Sequence, residues 1–242
     1  LQQTLKKNFS VEGKGLHTGK VATMVVMPAP VDTGLVFRRV DLEGCPEVEA
    51  LAENVSNTAR STTISKDAAS VSTIEHILSA LTGMGVDNAI IEINNVEVPI
   101  LDGSAKPYID AMWADGFEQQ DAPRRYIEIK ETIEIRNDET GSVVRIEPAE
   151  EFSYDIVVDF NSRVLGVQHA IWNPSVVYAE EIGVCRTFVF FHEIEFLFKN
   201  GLVKGGDVDN AIVIVEHPVT PEQVQNMSTL FNIPALEVRE DG

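Results

Sequence analysis

The chain has 242 residues, of which 44% are apolar and 24% are charged, a composition typical of a folded globular protein. Its 38 acidic and 19 basic residues give a net charge of −19, which argues against nucleic acid as a partner because phosphate binding requires a basic surface. No run approaches the roughly 18 apolar residues of a membrane-spanning helix, so no transmembrane segment is expected. The two cysteines are few for a secreted protein of this length and favour a reducing, cytoplasmic location.

The first part of the chain predicts strands followed by two helices. Apolar residues alternate or cluster over VATMVVM (21–27) and LVFRRV (35–40), as in half-buried strands. A helix is expected over Ser72–Met84, because the run ends in glycines, and the segment VDNAI then forms a strand. A second helix is expected after the turn Asp102-Gly103-Ser104 and should stop at Gly116.

The second part repeats this order of strands and helices. Because strands precede helices in both parts, the sequence predicts an α+β fold in which each sheet is layered with helices. The elements expected are strands in YIEIKETIEIR (126–136), SVVRIE (142–147) and SYDIVVDF (153–160), a helix at about Phe190–Asn200, a strand at VDNAI (208–212), a helix at about Pro221–Leu230 and a short strand after it.

Two motifs recur along the chain at the same spacing. TG-x-V occurs at 18–21 and 140–143, and VDNAI occurs at 86–90 and 208–212. This recurrence predicts two similar domains that arose by internal duplication. We expect domain I at residues 1–119, a polar linker at 120–125 and domain II at 126–242. By analogy with domain I, domain II should end in a helix that this sequence does not contain, so we expect an incomplete C-terminus.

The segment STIEHILSAL contains the adjacent residues Glu75 and His76 and permits two interpretations. Ser72 and Glu75 match the S-x-x-E capping box, and a lone histidine is usually structural. Alternatively, His76 binds a metal ion near the start of the helix, and Glu75 accepts a proton from a metal-bound water. The sequence lacks the second histidine of an H-E-x-x-H motif, so these residues alone leave both interpretations open.

Six stretches of the sequence together resemble one family. They are SVEGKGLHTGK, MPAP-x-x-TGLVFRR, VSTIEHILSALTGMGVDNAIIEI, PILDGSA-x-P, CRTFVFFHEIE and GGDVDNAIV. They resemble the zinc-dependent UDP-3-O-acyl-N-acetylglucosamine deacetylases of lipid A biosynthesis in Gram-negative bacteria, over almost the whole chain. The resemblance implies hydrolysis of the 2-acetamido group of UDP-3-O-(3-hydroxyacyl)-N-acetylglucosamine, with release of acetate, by two similar α+β domains.

The resemblance also implies roles for the residues that match the motifs of this family. His76 is expected to bind Zn²⁺, and Glu75 to act as the general base that activates the zinc-bound water. Thr187 is expected to donate a hydrogen bond to the developing oxyanion.

The remaining implied roles concern the binding of the substrate, a UDP-sugar that carries an acyl chain. Phe160 and Phe188 are expected to flank the sugar nucleotide. An insert at about 187–207 is expected to line an apolar passage for the acyl chain, with Ile194 and Gly206 among its residues, and His17 is expected near the cleft.

One part of the family pattern does not occur in this sequence. The other two zinc ligands lie in an H-K-x-x-D-x-x-G-D motif, which is absent here, and the general-acid histidine comes later still. We therefore expect this polypeptide alone to bind zinc weakly and to be inactive, and the whole protein to be active. Some members of the family are fused to a C-terminal hydroxyacyl-carrier-protein dehydratase, which we consider for this protein too. The alternative is a non-catalytic module that binds a sugar nucleotide or an acyl group.

Overall fold

The structure is a computed structural model that describes residues 1–234. It divides into two compact units, one formed by Leu1–Ala122 with the described chain from Tyr178 onward, the other by Pro123–Val177. Several sheets and five helices are present in the described residues, so the predicted α+β class is confirmed. The short strand predicted after the last helix lies outside the described residues.

The N-terminal part of the first unit contains ten strands, two α-helices and one short 3₁₀-helix at Ala52–Asn54. In chain order they are β1 (Gln3–Leu5), β2 (Phe9–Lys14), β3 (Val21–Pro28), β4 (Leu35–Arg39), β5 (Glu47–Glu49), β6 (Val55–Asn57), β7 (Thr63–Lys66), β8 (Ala69–Ser72), α1 (Glu75–Gly83), β9 (Ala89–Ile93), α2 (Lys106–Trp113) and β10 (Phe117–Gln119).

A five-stranded sheet in the order β2-β3-β9-β4-β5 forms the centre of this part. Only β4 and β9 run parallel; the other neighbouring strands are antiparallel. Every second residue of β3 is buried, including Met24 and Val26, and the same alternation buries Ile91 and Ile93 of β9. The predicted strands at 21–27 and 35–40 are confirmed as β3 and β4, and both contribute buried residues to this core.

Helices α1 and α2 bury one face in the same hydrophobic core as the sheet. Ile77 and Leu81 of α1 and Tyr108 and Met112 of α2 are almost completely buried there. Their spacing of four residues places each pair on one side of its helix. Burial of these apolar faces holds both helices beside the sheet.

The predicted start of the first helix was wrong. Helix α1 begins at Glu75, not at Ser72, and its N-cap Ile74 makes no side-chain capping hydrogen bond. Ser72 is the last residue of β8, and its backbone N–H and hydroxyl both donate to the carbonyl of Val96, at 2.8 and 3.3 Å. The capping box fails because pairing with a distant segment keeps Ser72 extended.

The second unit consists of two antiparallel strand pairs. The long strand expected at 126–136 forms only over its last residues, whereas the strands expected at 142–147 and 153–160 are confirmed within one residue at each end. The pairs are β11 (Ile133–Arg136) with β12 (Val143–Ile146), and β13 (Tyr154–Asp159) with β14 (Val167–Trp172).

The chain then returns to the first unit. It forms α3 (Tyr178–Glu181), β15 (Phe188–Phe190), α4 (Phe191–Lys199), β16 (Ile212–Ile214) and α5 (Pro221–Phe231), with β15 and β16 parallel. The helices predicted at 190–200 and 221–230 are confirmed within one residue at each end. Helix α5 begins with a reciprocal capping box between Thr220 and Gln223.

The two copies of VDNAI enter different sheets. The first leads into β9 of the five-stranded sheet, and the second leads into β16 of a two-stranded parallel pair. Within residues 1–234 no second five-stranded sheet is present. The internal duplication and the domain boundaries derived from it therefore stay predictions. No helix of the described chain is long and apolar enough to span a membrane.

Candidate functional site

Glu75 is the first residue of α1, and its carboxylate is held by a backbone donor. The N–H of Thr62 donates to Glu75 Oε2 at 3.1 Å, and the N–H of Ile74 donates to the carbonyl of Thr62 at 3.4 Å. These two bonds tie the start of α1 to the chain that leads into β7. A carboxylate in the first turn is also stabilised by the helix dipole. Glu75 is therefore a fixed, half-buried acceptor.

His76 follows in the same turn and is half-buried. Burial lowers the pKa of its imidazole, while the negative charges of Glu75 and Asp102 act in the opposite direction and raise it. Burial has the larger effect, so the neutral imidazole is favoured. A neutral ring has a free nitrogen lone pair, which is the form that binds a metal ion or accepts a proton.

The turn Asp102-Gly103-Ser104 interacts with His76 through the negative charge of Asp102. Its backbone carbonyls also accept hydrogen bonds from the segment that carries Thr187. Asp102 Oδ1 accepts hydrogen bonds from the backbone N–H and the hydroxyl of Ser104, at 3.0 and 2.8 Å. Arg186 Nε donates to the carbonyl of Asp102 at 2.7 Å, and the N–H of Thr187 donates to the carbonyl of Gly103 at 2.8 Å. Sequence reasoning identified this turn only as the start of α2, and missed its contacts with residues 186 and 187.

A cavity of about 450 Å³ lies in the first unit, beside β15, α4 and α5. Most of its lining is apolar, and the polar side chains in the lining are His17, Arg60, Thr187 and Asp207. Five of the predicted site residues line it, namely His17, Thr187, Phe188, Ile194 and Gly206. Glu75 and His76 are not among the lining residues. The structure therefore brings together the residues expected to bind the acyl chain and the oxyanion.

Two loops that approach very closely form part of the cavity wall. The N–H of Gly205 donates to the carbonyl of Leu16 at 3.0 Å, and the N–H of Lys204 donates to the carbonyl of His17 at 3.3 Å. A Cβ atom on Gly205 would lie 2.2 Å from the carbonyl oxygen of Gly15, so only glycine fits there. A Cβ atom on Gly19 would likewise lie 3.2 Å from the carbonyl oxygen of Lys204, so the contact accounts for one glycine in each loop.

Arg60 links the cavity to the start of α1. Its guanidinium forms an ion pair with Glu193 of α4 at 2.9 Å, and its carbonyl oxygen lies 3.3 Å from His17 Nε2. Two residues later, Thr62 donates to Glu75. Residues 60–62 therefore contact His17, Glu75 and α4. No sequence motif indicated a role for Arg60, because these contacts join segments that are far apart in the chain.

Phe160 belongs to the second unit, where it follows β13 and is 50% exposed. Its expected contact with a sugar nucleotide stays a prediction.

A complete metal site is not formed by the part of the chain that the structure describes. No group of three or more histidine, cysteine, aspartate or glutamate side chains comes together there in a way that could hold a metal ion. A catalytic zinc ion typically has three protein ligands and one open position. His76 supplies one imidazole, so the described residues alone do not fit the expected zinc site.

The sequence pattern described as LpxC, UDP-3-O-acyl N-acetylglycosamine deacetylase, matches residues 2–228 of this chain. The chain belongs to this family. The resemblance inferred from the sequence motifs is thereby confirmed, because the match covers all of the stretches that carried it.

Relatives within the family differ in how much of their length the chain covers. The bifunctional enzyme LpxC/FabZ of Bacteroides thetaiotaomicron is 42% identical over 241 residues, which are 100% of this chain and 52% of that protein. The UDP-3-O-acyl-N-acetylglucosamine deacetylase of Saccharophagus degradans is 44% identical over 217 residues, 88% of this chain and 71% of that protein. The chain thus spans about half the length of the bifunctional relatives.

Proposed function

We propose that the whole protein carrying this sequence hydrolyses the 2-acetamido group of UDP-3-O-(3-hydroxyacyl)-N-acetylglucosamine, with release of acetate, as the committed step of lipid A biosynthesis. The observation that carries the proposal is the apolar cavity bordered by Thr187, in a chain whose residues 2–228 match the deacetylase family. Relatives named as UDP-3-O-acyl-N-acetylglucosamine deacetylases support the same substrate.

The cavity suits the acyl chain of such a substrate. Its volume of about 450 Å³ falls within the usual range of small-molecule sites, and its mostly apolar lining favours a hydrocarbon. Ile194 and Leu197 of α4 line it and are otherwise almost fully buried. The polar side chains of the lining, among them those of Arg60, Thr187 and Asp207, offer hydrogen bonds to a polar head group.

The reaction that we propose needs a base, an oxyanion donor and an acid. Glu75, held by the Thr62 N–H, takes a proton from the water that attacks the acetamide carbonyl carbon. The hydroxyl of Thr187 donates to the oxygen that becomes negatively charged. The C–N bond then breaks, and the leaving amine receives a proton from a general acid, which we do not assign to any described residue.

We further propose that His76 is one ligand of a Zn²⁺ ion. Bound zinc would acidify the attacking water and polarise the acetamide carbonyl. A polypeptide of these 242 residues alone contains one of the three expected ligands, so it should bind zinc weakly and be inactive. Zinc content by atomic absorption tests this, because near-stoichiometric, tightly retained zinc in that polypeptide would contradict it. In the intact protein, His76→Ala should lower the zinc content.

Acetate release by the intact protein from UDP-3-O-acyl-N-acetylglucosamine tests the proposed reaction. Glu75→Gln should lower kcat by about 10²- to 10⁴-fold, the usual contribution of a general base. Glu118→Gln is the matched control, since Glu118 is an exposed glutamate of β10. Tight binding of the UDP-sugar without any acetate release would instead support the alternative, a non-catalytic binding module.

Two further properties of the whole protein are part of the proposal. We place it in the cytoplasm, in keeping with two free cysteines in the chain. We also propose a fused dehydratase domain, which is supported by the names of the bifunctional relatives that the chain matches over about half their length. The mass of the protein isolated from its source would test the fusion.

A further inference from the structure

We propose that Glu97 is a positioning residue that holds two segments of the candidate site in one geometry. These segments are the loop that carries His17 and the turn that leads into Glu75 and His76. The catalytic consequence of this role rests on the proposed function, whereas the structural role does not.

The carboxylate of Glu97 is 1% exposed and accepts three hydrogen bonds. Oε1 accepts from the N–H of His17 at 2.8 Å and from the hydroxyl of Thr73 at 3.0 Å. Oε2 accepts from the N–H of Thr18 at 2.7 Å. A buried carboxylate is costly unless donors surround it, and bonds to a charged acceptor are stronger than neutral ones. This carboxylate is therefore satisfied by donors of the two segments.

The turn at Thr73 is strained and depends on such an anchor. Thr73 has a φ of +58° and is 2% exposed. A β-branched residue rarely adopts this left-handed conformation, which persists only where surrounding contacts enforce it. Thr73 stands directly before Ile74, the N-cap of α1, so its conformation sets the direction in which Glu75 and His76 leave β8.

The loop around His17 is shaped to admit the carboxylate. A Cβ atom on Gly15 would lie 2.3 Å from Glu97 Oε2 and 2.8 Å from the hydroxyl oxygen of Thr18. The loop is closed by bonds from the N–H of Gly15 to the carbonyl of Lys20, at 2.9 Å, and from the N–H of Gly19 to the carbonyl of Gly15, at 3.0 Å. Through the contacts of Leu16 and His17 with residues 203–205, this loop also fixes the cavity wall.

Hydrogen exchange of the intact protein tests the positioning role without a substrate. Glu97→Gln replaces one acceptor oxygen by an NH₂ group, so a backbone donor of His17 or Thr18 then faces another donor. We expect exchange of at least one of these two amides to rise by about tenfold or more, in line with the loss of a charge-assisted hydrogen bond. Exchange of the backbone amides that pair β3 with β9 should stay unchanged. Glu118→Gln should leave all of these amides as in the wild type.

Gly15→Ala is the second variant, because it displaces the carboxylate without removing it. The same two amides should lose protection, even if Glu97→Gln does not fold. Wild-type protection of both amides in Gly15→Ala, or in a folded Glu97→Gln protein, would overturn the proposal.

Kinetics of the intact protein test the consequence for catalysis. A misplacement of about 1 Å at a reacting group can cost about 10²-fold in rate, so kcat of a folded Glu97→Gln protein should fall by that order. An unchanged kcat would contradict the positioning of Glu75. If the wild-type protein releases no acetate, the proposed function fails, while the exchange result still decides whether Glu97 holds the two segments.

Discussion

The substitution Gly103→Ala tests the contact that places Thr187. Gly103 has a φ of +82°, and a Cβ atom there would lie 2.1 Å from the carbonyl oxygen of Asn210. Gly116 provides a matched control, since its φ is +80° and no heavy atom outside residues 115–117 lies within 4 Å of its Cβ position. The two variants therefore share the conformational penalty and differ in the space available.

The expected loss of stability follows from the conformational penalty of alanine and from the steric clash of its Cβ atom. Both variants lose about 1–2 kcal/mol of stability, because alanine is unfavourable in the left-handed conformation. Because real Cβ atoms essentially never come closer than 3.0 Å, the Gly103 turn and Asn210 must separate by roughly 1 Å. That movement weakens the hydrogen bond from the N–H of Thr187 to the carbonyl of Gly103. Leaving these two groups poorly paired costs about 2 kcal/mol. Gly103→Ala should therefore be about 2 kcal/mol more destabilising than Gly116→Ala.

Urea unfolding followed by circular dichroism measures this difference. The helical signal reports on the first unit, because the helices of the described residues all lie there. The slope m should be equal in both variants, so that the midpoints compare their free energies of unfolding. Equal destabilisation by the two substitutions would refute the close approach of Gly103 and Asn210, and with it the placement of Thr187.

Three further predictions concern other contacts of the first unit. Asp41→Asn should lower the free energy of unfolding by about 2 kcal/mol at neutral pH, because Arg39 is buried and donates two hydrogen bonds to Asp41. Since these bonds hold the pKa of Asp41 below its usual 3.8, their contribution is present above that pH and is lost as the pH falls through the lower folded-state value; urea titrations in acid should show the variant and the wild type converging. Ile194→Trp should raise KM more for long acyl chains than for short ones, in assays with substrates of graded chain length, because it fills the cavity; an equal change for all lengths would contradict the assignment. A double-mutant cycle on Arg60 and Glu193 should give a coupling of at most about 1 kcal/mol that declines with added salt, because the pair is partly exposed; a larger, salt-independent coupling would disprove this.

Apolar periodicity predicted the elements that bury part of their apolar residues. The strands β3 and β4 and the helices α4 and α5 were found this way, within about a residue at most ends. The start of α1 was missed because the capping motif at Ser72 competes with pairing to Val96, which is distant in sequence. A local motif carries no information on that pairing. The long strand expected at 126–136 failed for a related reason, since β12 pairs with only its last residues.

The residues of the candidate site also divide into those that sequence motifs predicted and those that they did not. Family motifs pointed to residues that the structure gathers around one cavity, among them Thr187 and Ile194. Glu97 and Arg60 were not singled out and Asp102 was identified only as part of a turn, because their roles arise from contacts between segments far apart in the chain. Glu97, for example, binds the backbone of His17, 80 residues earlier. Such residues become visible only when the fold has brought the segments together.

The central claim is that the cavity receives an acyl chain while acetate is released beside it. The specificity constant of the intact protein tests this claim most directly. The measurement compares kcat/KM for UDP-3-O-acyl-N-acetylglucosamine with kcat/KM for the same UDP-sugar without its acyl chain. If binding energy of the acyl chain in the cavity is used in the transition state, the acylated substrate should be preferred by at least about 10²-fold. A ratio near one, or no acetate release from either compound, would contradict the account.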